Sequence, residues 1–326
     1  MRTTMTGTLS MFRVEERDYP RLHGLLSPYL PQSLTILGHH EQHIDQLSSM
    51  PIWASFPITQ PPPALFALFV LGTQTAGYQS RLFCSAETFP DQPTPEQEAF
   101  VASFMEASLR AAFEEFAETC PVGAIGKESG LLVGSIHEKW HSCLRALPYA
   151  VKHSPCRKVL LPPSAARAFA EGARDDHLPP GARVTRLEKG DVAMILQYNK
   201  ISRPTGYVES RLEQSVCIRA PGPDGEEVPV AWIIVHADSS LGGLHVIEAF
   251  QRRGLGSELM RRIVALRLAR EEERAARTPG GPKDMTDGWN MVDVVEGNEE
   301  GTRFYGRLEG WELAWLTSWM TFTAPP

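Results

Sequence analysis

The apolar positions of this chain change period several times, and each change marks an element. Residues 13–32 follow a helical spacing interrupted by Pro28 and Pro31, and Ser33–Leu37 (S-L-T-I-L) reads as a strand. His39-His40-Glu41-Gln42-His43 then reads as a polar loop. Three histidines so close invite a zinc reading, but no ligand set is complete nearby, so no metal is expected. Ala64–Leu71 and Tyr78–Ser85 read as strands across a glycine-containing turn. Pro95–Thr119 is the clearest helix of this half. Thr94 can cap it, Pro95 opens it, and Phe100, Phe104, Leu109, Phe113 and Phe116 recur near helical spacing as a core stripe. Gly130–Ile136 and Lys158–Leu161 are short strands with a helix around His137–Leu147 between them. In that helix His141 and Cys143 stand two apart, so they diverge and do not form a nucleophile pair.

Residues 162–183 are rich in Pro, Ala and charge, and a domain boundary near Pro179–Gly181 divides the chain into 1–179 and 180–326. Beyond it, Val184–Leu187 is a strand, Asp191–Tyr198 and Tyr207–Gln214 are helical, and Val216–Arg219 is a strand before the turn at 221–225. Val230–His236 and Gly242–Ile247 form an antiparallel pair. A long helix runs from about Gly254 to Ala276, and its charged end is a solvated face. A polar loop at 278–288 precedes the strand Met291–Val295 and the helix Asn298–Leu308. Trp311–Phe322 reads as an aromatic strand pair whose tryptophans pack the core of an edge hairpin.

Composition narrows the class. With 326 residues, 42% apolar and 22% charged, the chain has material for two globular domains. A net charge of −7 and no basic, aromatic-interleaved patch argue against nucleic acid as a partner. Five scattered cysteines, without C-x-x-C, argue for a reducing compartment. No apolar run has membrane-spanning or secretory length, so the expectation is a cytoplasmic protein without membrane contact, monomeric or homodimeric.

The chemistry concentrates at Gln251-Arg252-Arg253-Gly254-Leu255-Gly256, between the apolar run Leu244–Ile247 and the long helix. Strand, glycine loop and helix start together make an anion cradle. Glycines admit close approach of backbone N–H groups, and the helix start adds unpaired donors. The stretch from Trp232 to Met260 resembles the central motif of the GNAT acyltransferase superfamily, Q/R-x-x-G-x-G/A after a strand. A second block, Asn298–Trp311, resembles that superfamily's next motif, in which Asn opens a helix that carries an aromatic–Tyr pair. The resemblance covers roughly the last 145 residues. The first half matches only in the order of its elements, an arrangement similar to glycine N-acyltransferase and its relatives, where a degenerate half precedes a working one.

The resemblance implies an α/β (α+β) GNAT fold: a mixed, mostly antiparallel sheet with flanking helices, preceded by a smaller GNAT-like α/β domain. It implies an acyl-CoA-dependent N-acyltransferase, with acetyl-CoA or another acyl-CoA as co-substrate and an amine of a small molecule or amino acid as acceptor. Leu244, His245 and Val246 match the strand that lines the pantetheine arm, with the Leu244 N–H polarising the thioester carbonyl. The amides of Gln251, Arg252, Arg253, Gly254, Leu255, Gly256 and Ser257 match the pyrophosphate loop, and Asn298 the residue that fixes the pantetheine or the second strand. Tyr305 matches the tyrosine that protonates the departing thiolate. Where several relatives carry a glutamate base this chain has Ser240, which leaves His236 and His245 as equal candidates for the base, with Asp238 near. The missing glutamate also keeps open a non-catalytic, acyl-CoA-binding or scaffolding role.

Overall fold

The two halves of the chain spell the same order of elements. In the computed structural model, which describes residues 10–42, 51–72, 79–115, 130–199, 201, 203–222, 225–277 and 285–323, the first half runs β1 (Phe12–Arg13), α1 (Arg21–Leu26), α2 (Leu34–Gln42), β2 (Ile52–Ala54), β3 (Ala67–Val70), β4 (Gln79–Cys84), α3 (Pro95–Glu115), β5 (Leu131–His137), α4 (His141–Arg145) and β6 (Ala150–Leu161). A linking helix, α5 (Pro163–Glu171), follows. The second half repeats the order with β7 (Arg183–Thr185), α6 (Val192–Tyr198), α7 (Thr205–Glu209), β8 (Ser215–Pro221), β9 (Glu227–Val235), β10 (Leu241–Val246), α8 (Leu255–Arg277), β11 (Asn290–Val295), α9 (Glu299–Tyr305) and β12 (Glu312–Thr323).

The halves exchange their last strands. Among the described residues one sheet has the order β1-β2-β3-β4-β5-β12-β6-β11 and a second the order β10-β9-β8-β7. β12, from the end of the second half, lies between β5 and β6 of the first, and β6 lies between β11 and β12 of the second. β6 and β12 pair antiparallel from Glu312↔Leu160 to Thr323↔Ala150, with one bulge between Leu313 and Trp315. The larger sheet therefore takes strands from both sides of the 179/180 line.

Two readings of local pattern are corrected. Ser33–Leu37 is not a strand, because Leu34 opens α2 and the helix runs through His39, His40 and Glu41 to Gln42. Leu34, Thr35, Ile36, Leu37, His39 and His40 are all buried, so this helix is covered on most sides and lacks the exposed polar stripe that would have shown its period. The histidines therefore belong to a packed helix and not to a polar loop; His43 lies outside the described residues. Among those described, no group of acidic, His or Cys side chains is arranged to hold a metal ion. Trp311–Phe322 is not an edge hairpin but one long strand inside the sheet.

A buried ion pair joins the halves. The Arg81 guanidinium on β4 is 0% exposed, donates to Asp238 Oδ2 at 2.6 and 3.2 Å, and stacks over the Trp319 ring at 4.7 Å. Gly134 makes room for this stack, since a Cβ there would lie 2.4 Å from Trp319 and 2.6 Å from the guanidinium. Asp238 sits in the turn between β9 and β10, and its Oδ1 accepts from the Ser240 N–H at 3.1 Å and the Ser240 hydroxyl at 2.6 Å. α2 closes over the same turn, where Gly38 lies so near that an added Cβ would sit 2.1 Å from the Asp238 carbonyl oxygen. Removing the cation alone strands a buried charge. Arg81→Met is expected to lower stability in urea unfolding by about 3–5 kcal/mol, and Asp238→Asn on that background to recover part of the loss. Equal stability of Arg81→Met and the parent would show that the pair does not hold the halves together.

Candidate functional site: an anion cradle beside a split sheet

The loop after β10 is set by its backbone. Arg252 (φ +58°) and Gly254 (φ +83°) both have left-handed backbone, which turns successive N–H groups outward. The Arg253 N–H closes the turn at Gln251–Arg252, and among the described residues no backbone acceptor is found for the N–H groups of Arg252 and of Gly254 through Ser257. Leu255, Gly256 and Ser257 form the first turn of the 23-residue α8, where the positive end of the helix dipole adds to those donors. A Cβ added at Gly254 would meet nothing within 4 Å, so the mouth is open. Gly256 serves packing, because a Cβ there would lie 3.1 Å from the Phe304 ring on α9. Gln251 steadies the loop by donating from Nε2 to the Val246 carbonyl at 3.0 Å. Arg252 and Arg253 are exposed, with Arg253 5.4 Å from the Phe250 ring.

Upstream, β10 carries a bulge. Gly242 pairs with Ile234 and His245 with Trp232, so one extra residue is fitted between them, with Gly243 left-handed at φ +60°. Leu244 thereby leaves the regular ladder. β10 and β11 approach each other but do not pair, and they edge different sheets. The gap between them is bounded by Leu244 and Val246 on one strand and begins beside the loop.

The candidate side chains have different surroundings. His236 lies just past the end of β9, half-buried, its Nδ1 2.9 Å from the Tyr207 hydroxyl. Its Nε2 points at Gly242, where a Cβ would be 2.4 Å away. Burial first, and the Arg203 charge next, push its pKa down to about 3, so the imidazole is neutral at neutral pH. His245 is packed between Tyr198 and Trp232, with ring centroids at 4.7 and 4.8 Å. The structure does not bring the two histidines together: one stands at the turn and the other in an aromatic stack further along β10. Tyr305 is buried against Phe304 and Trp311, and burial alone raises its phenol above the ordinary value. Asn298 caps α9, its side-chain oxygen accepting from the Gly301 N–H at 3.0 Å. Ser240 is committed to Asp238, as described above.

Sequence reasoning missed Tyr207, Arg203 and Gly242. Gly242-Gly243 inside a strand was the available signal for a bulge or a close approach. Tyr207 and Arg203 gave none, because only the fold brings them to the turn.

The equivalent place in the first half is closed. β4 and β5 pair in parallel from Gln79↔Leu132 to Arg81↔Gly134, where β10 and β11 stay apart. The segment from Ser85 to Thr94 has no glycine. Lys139 Nζ donates to the carbonyls of Ala86, Glu87 and Phe89. Glu87 is buried beneath Trp140 and accepts at Oε1 from the Cys84 N–H at 3.0 Å and the indole N–H at 2.9 Å.

Fold and loop together define the arrangement: two α/β halves with the same order of elements, of which, among the described residues, only the second keeps an open glycine loop ahead of its long helix. Residues 225–278, which span β9, β10 and all of α8, match the family model described as FR47-like protein. Among solved structures, the chain is similar to a Drosophila protein at 16% identity, with a TM-score of 0.63, covering 97% of this chain and 99% of that one. A tandem GNAT protein from the clavulanic acid biosynthesis pathway aligns over 97% and 99% at 11% identity, with a TM-score of 0.47. At 16% identity the likeness to the Drosophila protein is one of fold. No curated protein matches the sequence.

The closed first-half site has a measurable signature. Burial pushes the Glu87 carboxyl up to about 8, above its unfolded value, so its contribution to stability is full below about pH 4.5 and is lost as pH rises through 8. Glu87→Gln keeps the acceptor oxygen without the charge. The variant is expected to gain on the parent from pH 5 to pH 8, by about 1 kcal/mol or more at the upper end, in urea unfolding at each pH. A constant difference across that range would place a normal carboxyl there.

Proposed function

We propose that the second half is an acyl-CoA-dependent N-acyltransferase, with acetyl-CoA as the first donor to test, and that it acts by direct transfer to an amine. The observation that carries this reading is the run of amides from Gly254 to Ser257 without backbone acceptors, at an open, left-handed Gly254 just before α8. Such a cradle suits a pyrophosphate. The gap between β10 and β11 would take the pantetheine arm, edged by Leu244, His245 and Val246, with the N–H freed by the bulge at Leu244 facing the thioester carbonyl. Asn298 would keep the start of α9 in place.

In the transfer step the amine nitrogen attacks the carbonyl carbon. A C–N bond forms, the C–S bond breaks, and the amine proton leaves toward His236. The sulfur departs as thiolate. A phenol raised above 10 does not fully protonate a thiolate of pKa ~8.5, so Tyr305 would act as a hydrogen-bond donor to the developing charge. His245, clasped by two rings, would position the strand. Ser240 is no base, because its hydroxyl is spent on Asp238. That same observation favours one rival, a binding protein without turnover; loss of detectable turnover in Tyr305→Phe would argue against it.

CoA binding gives the direct test. A ligand at 100 times its Kd adds about 2.7 kcal/mol to folding stability. Titration with CoA and acetyl-CoA is expected to raise Tm and to saturate at one molecule per chain, since the first-half site is closed. Gly254→Trp, which fills the cradle, is expected to abolish the shift while its ligand-free melt stays cooperative. No shift in the parent protein would remove the reading.

A further inference from the structure

The charge around His236 is out of balance. Three arginines converge on this turn from two elements and the loops beside them: Arg81 from β4, Arg203 from the loop before α7, and Arg211 just after α7. Arg203 lies 5.3 Å and Arg211 5.9 Å from the Tyr207 ring centroid, and Tyr207 in turn stacks on His236 with 24° between the ring planes. The groups that act on His236 are those three cations and a single carboxylate, Asp238. Asp238 is already used, holding Arg81 through one oxygen and Ser240 through the other. Arg203 makes no hydrogen bond or ion pair among the described residues, yet it is not sealed from solvent. A guanidinium in a recess, with its fork of donors unused, suits a planar anion.

Resting on the acyltransferase reading, we propose that Arg203, backed by Arg211, is the docking point for an acid group on the acceptor, so that the acceptor is an amine bearing a carboxylate or a similar anion. Its amine would then reach the Gly242 edge of the gap, where Nε2 of His236 points.

This placement has a second effect. In the ligand-free protein the Arg203 charge is, after burial, the largest influence holding His236 down. An acid group seated on Arg203 neutralises that charge and makes the imidazole a better proton acceptor while the amine is beside it. An amine without the acid tail would find a weak base. Specificity and activation would thus share one contact.

Isothermal titration of the CoA-saturated protein with amino acids, their carboxamides and an aminosulfonate tests the docking. At least one acid is expected to bind tenfold or more tighter than its amide, and the aminosulfonate arm shows whether the subsite needs a planar anion. Arg203→Gln should lower the affinity of that acid ~10–100-fold, leave the amide unchanged, and leave the Tm shift with CoA intact. Arg203→Lys should restore part of the affinity. In turnover, the acid limb of the kcat/KM profile, which reports the free enzyme, should move to higher pH in Arg203→Gln. Equal binding of acids and amides, no binding of any acid, or a loss in Arg203→Gln that falls equally on amides would overturn the proposal. Failure of CoA to bind is seen separately in the Tm titration and counts against the acyltransferase reading alone.

Discussion

A guanidinium buried at the centre of a protein must find its counter-charge, and here Arg81 finds Asp238. Several kcal/mol of desolvation stand behind that pairing, and much of the second half's geometry follows from it. Asp238 must sit where β4 can reach it, so the turn between β9 and β10 is pinned to the first half. The pinned turn sets where β10 begins, where its bulge falls, and where His236 points. It also bears on the residue at 240. The second oxygen of Asp238 needs donors, and Ser240 supplies two. A glutamate in that place would set a second carboxylate against the first. The absence of the expected base and the presence of the ion pair are thus one fact.

The halves share a plan but have diverged in one respect. In the first, β4 and β5 zip together and Lys139 fills the space above the following loop. In the second, β10 and β11 stay apart and the loop remains open. The difference lies in a few residues: glycines at 254 and 256 against none between Ser85 and Thr94, and a Gly-Gly bulge at 242–243 that β4 lacks. A closed half can still serve the open one. Arg81 and α2 both belong to it, and both hold the turn that carries His236.

Much of this was legible in the sequence. The glycine loop, the long helix after it and the Asn298–Trp311 block could be read because their signals are local: positive-φ glycines, a capping asparagine and a helical period. Most strands and helices were found for the same reason, although β1, β2 and α5 were not read and β6 was read only at residues 158–161. α2 was misread because a helix buried on most sides loses its polar stripe and looks like a short strand. β12 was misread because a twelve-residue strand with irregular register resembles two shorter ones, and because nothing in its own residues says that its neighbours, β5 and β6, lie in the first half of the chain. Arg203, Tyr207 and the Arg81–Asp238 pair were invisible for that last reason, since their meaning lies in contacts made only after folding.

The exchange of β6 and β12 bears on when the molecule can exist at all. As the chain is synthesised, the first half emerges with a gap between β5 and β6, two edges that lack a partner. That gap stays open through the making of the second half and closes only when residues 312–323 arrive. Until then the open edges are a hazard for pairing with other chains. Folding is thereby tied to completion: a ribosome that stalls before β12 releases neither domain in finished form.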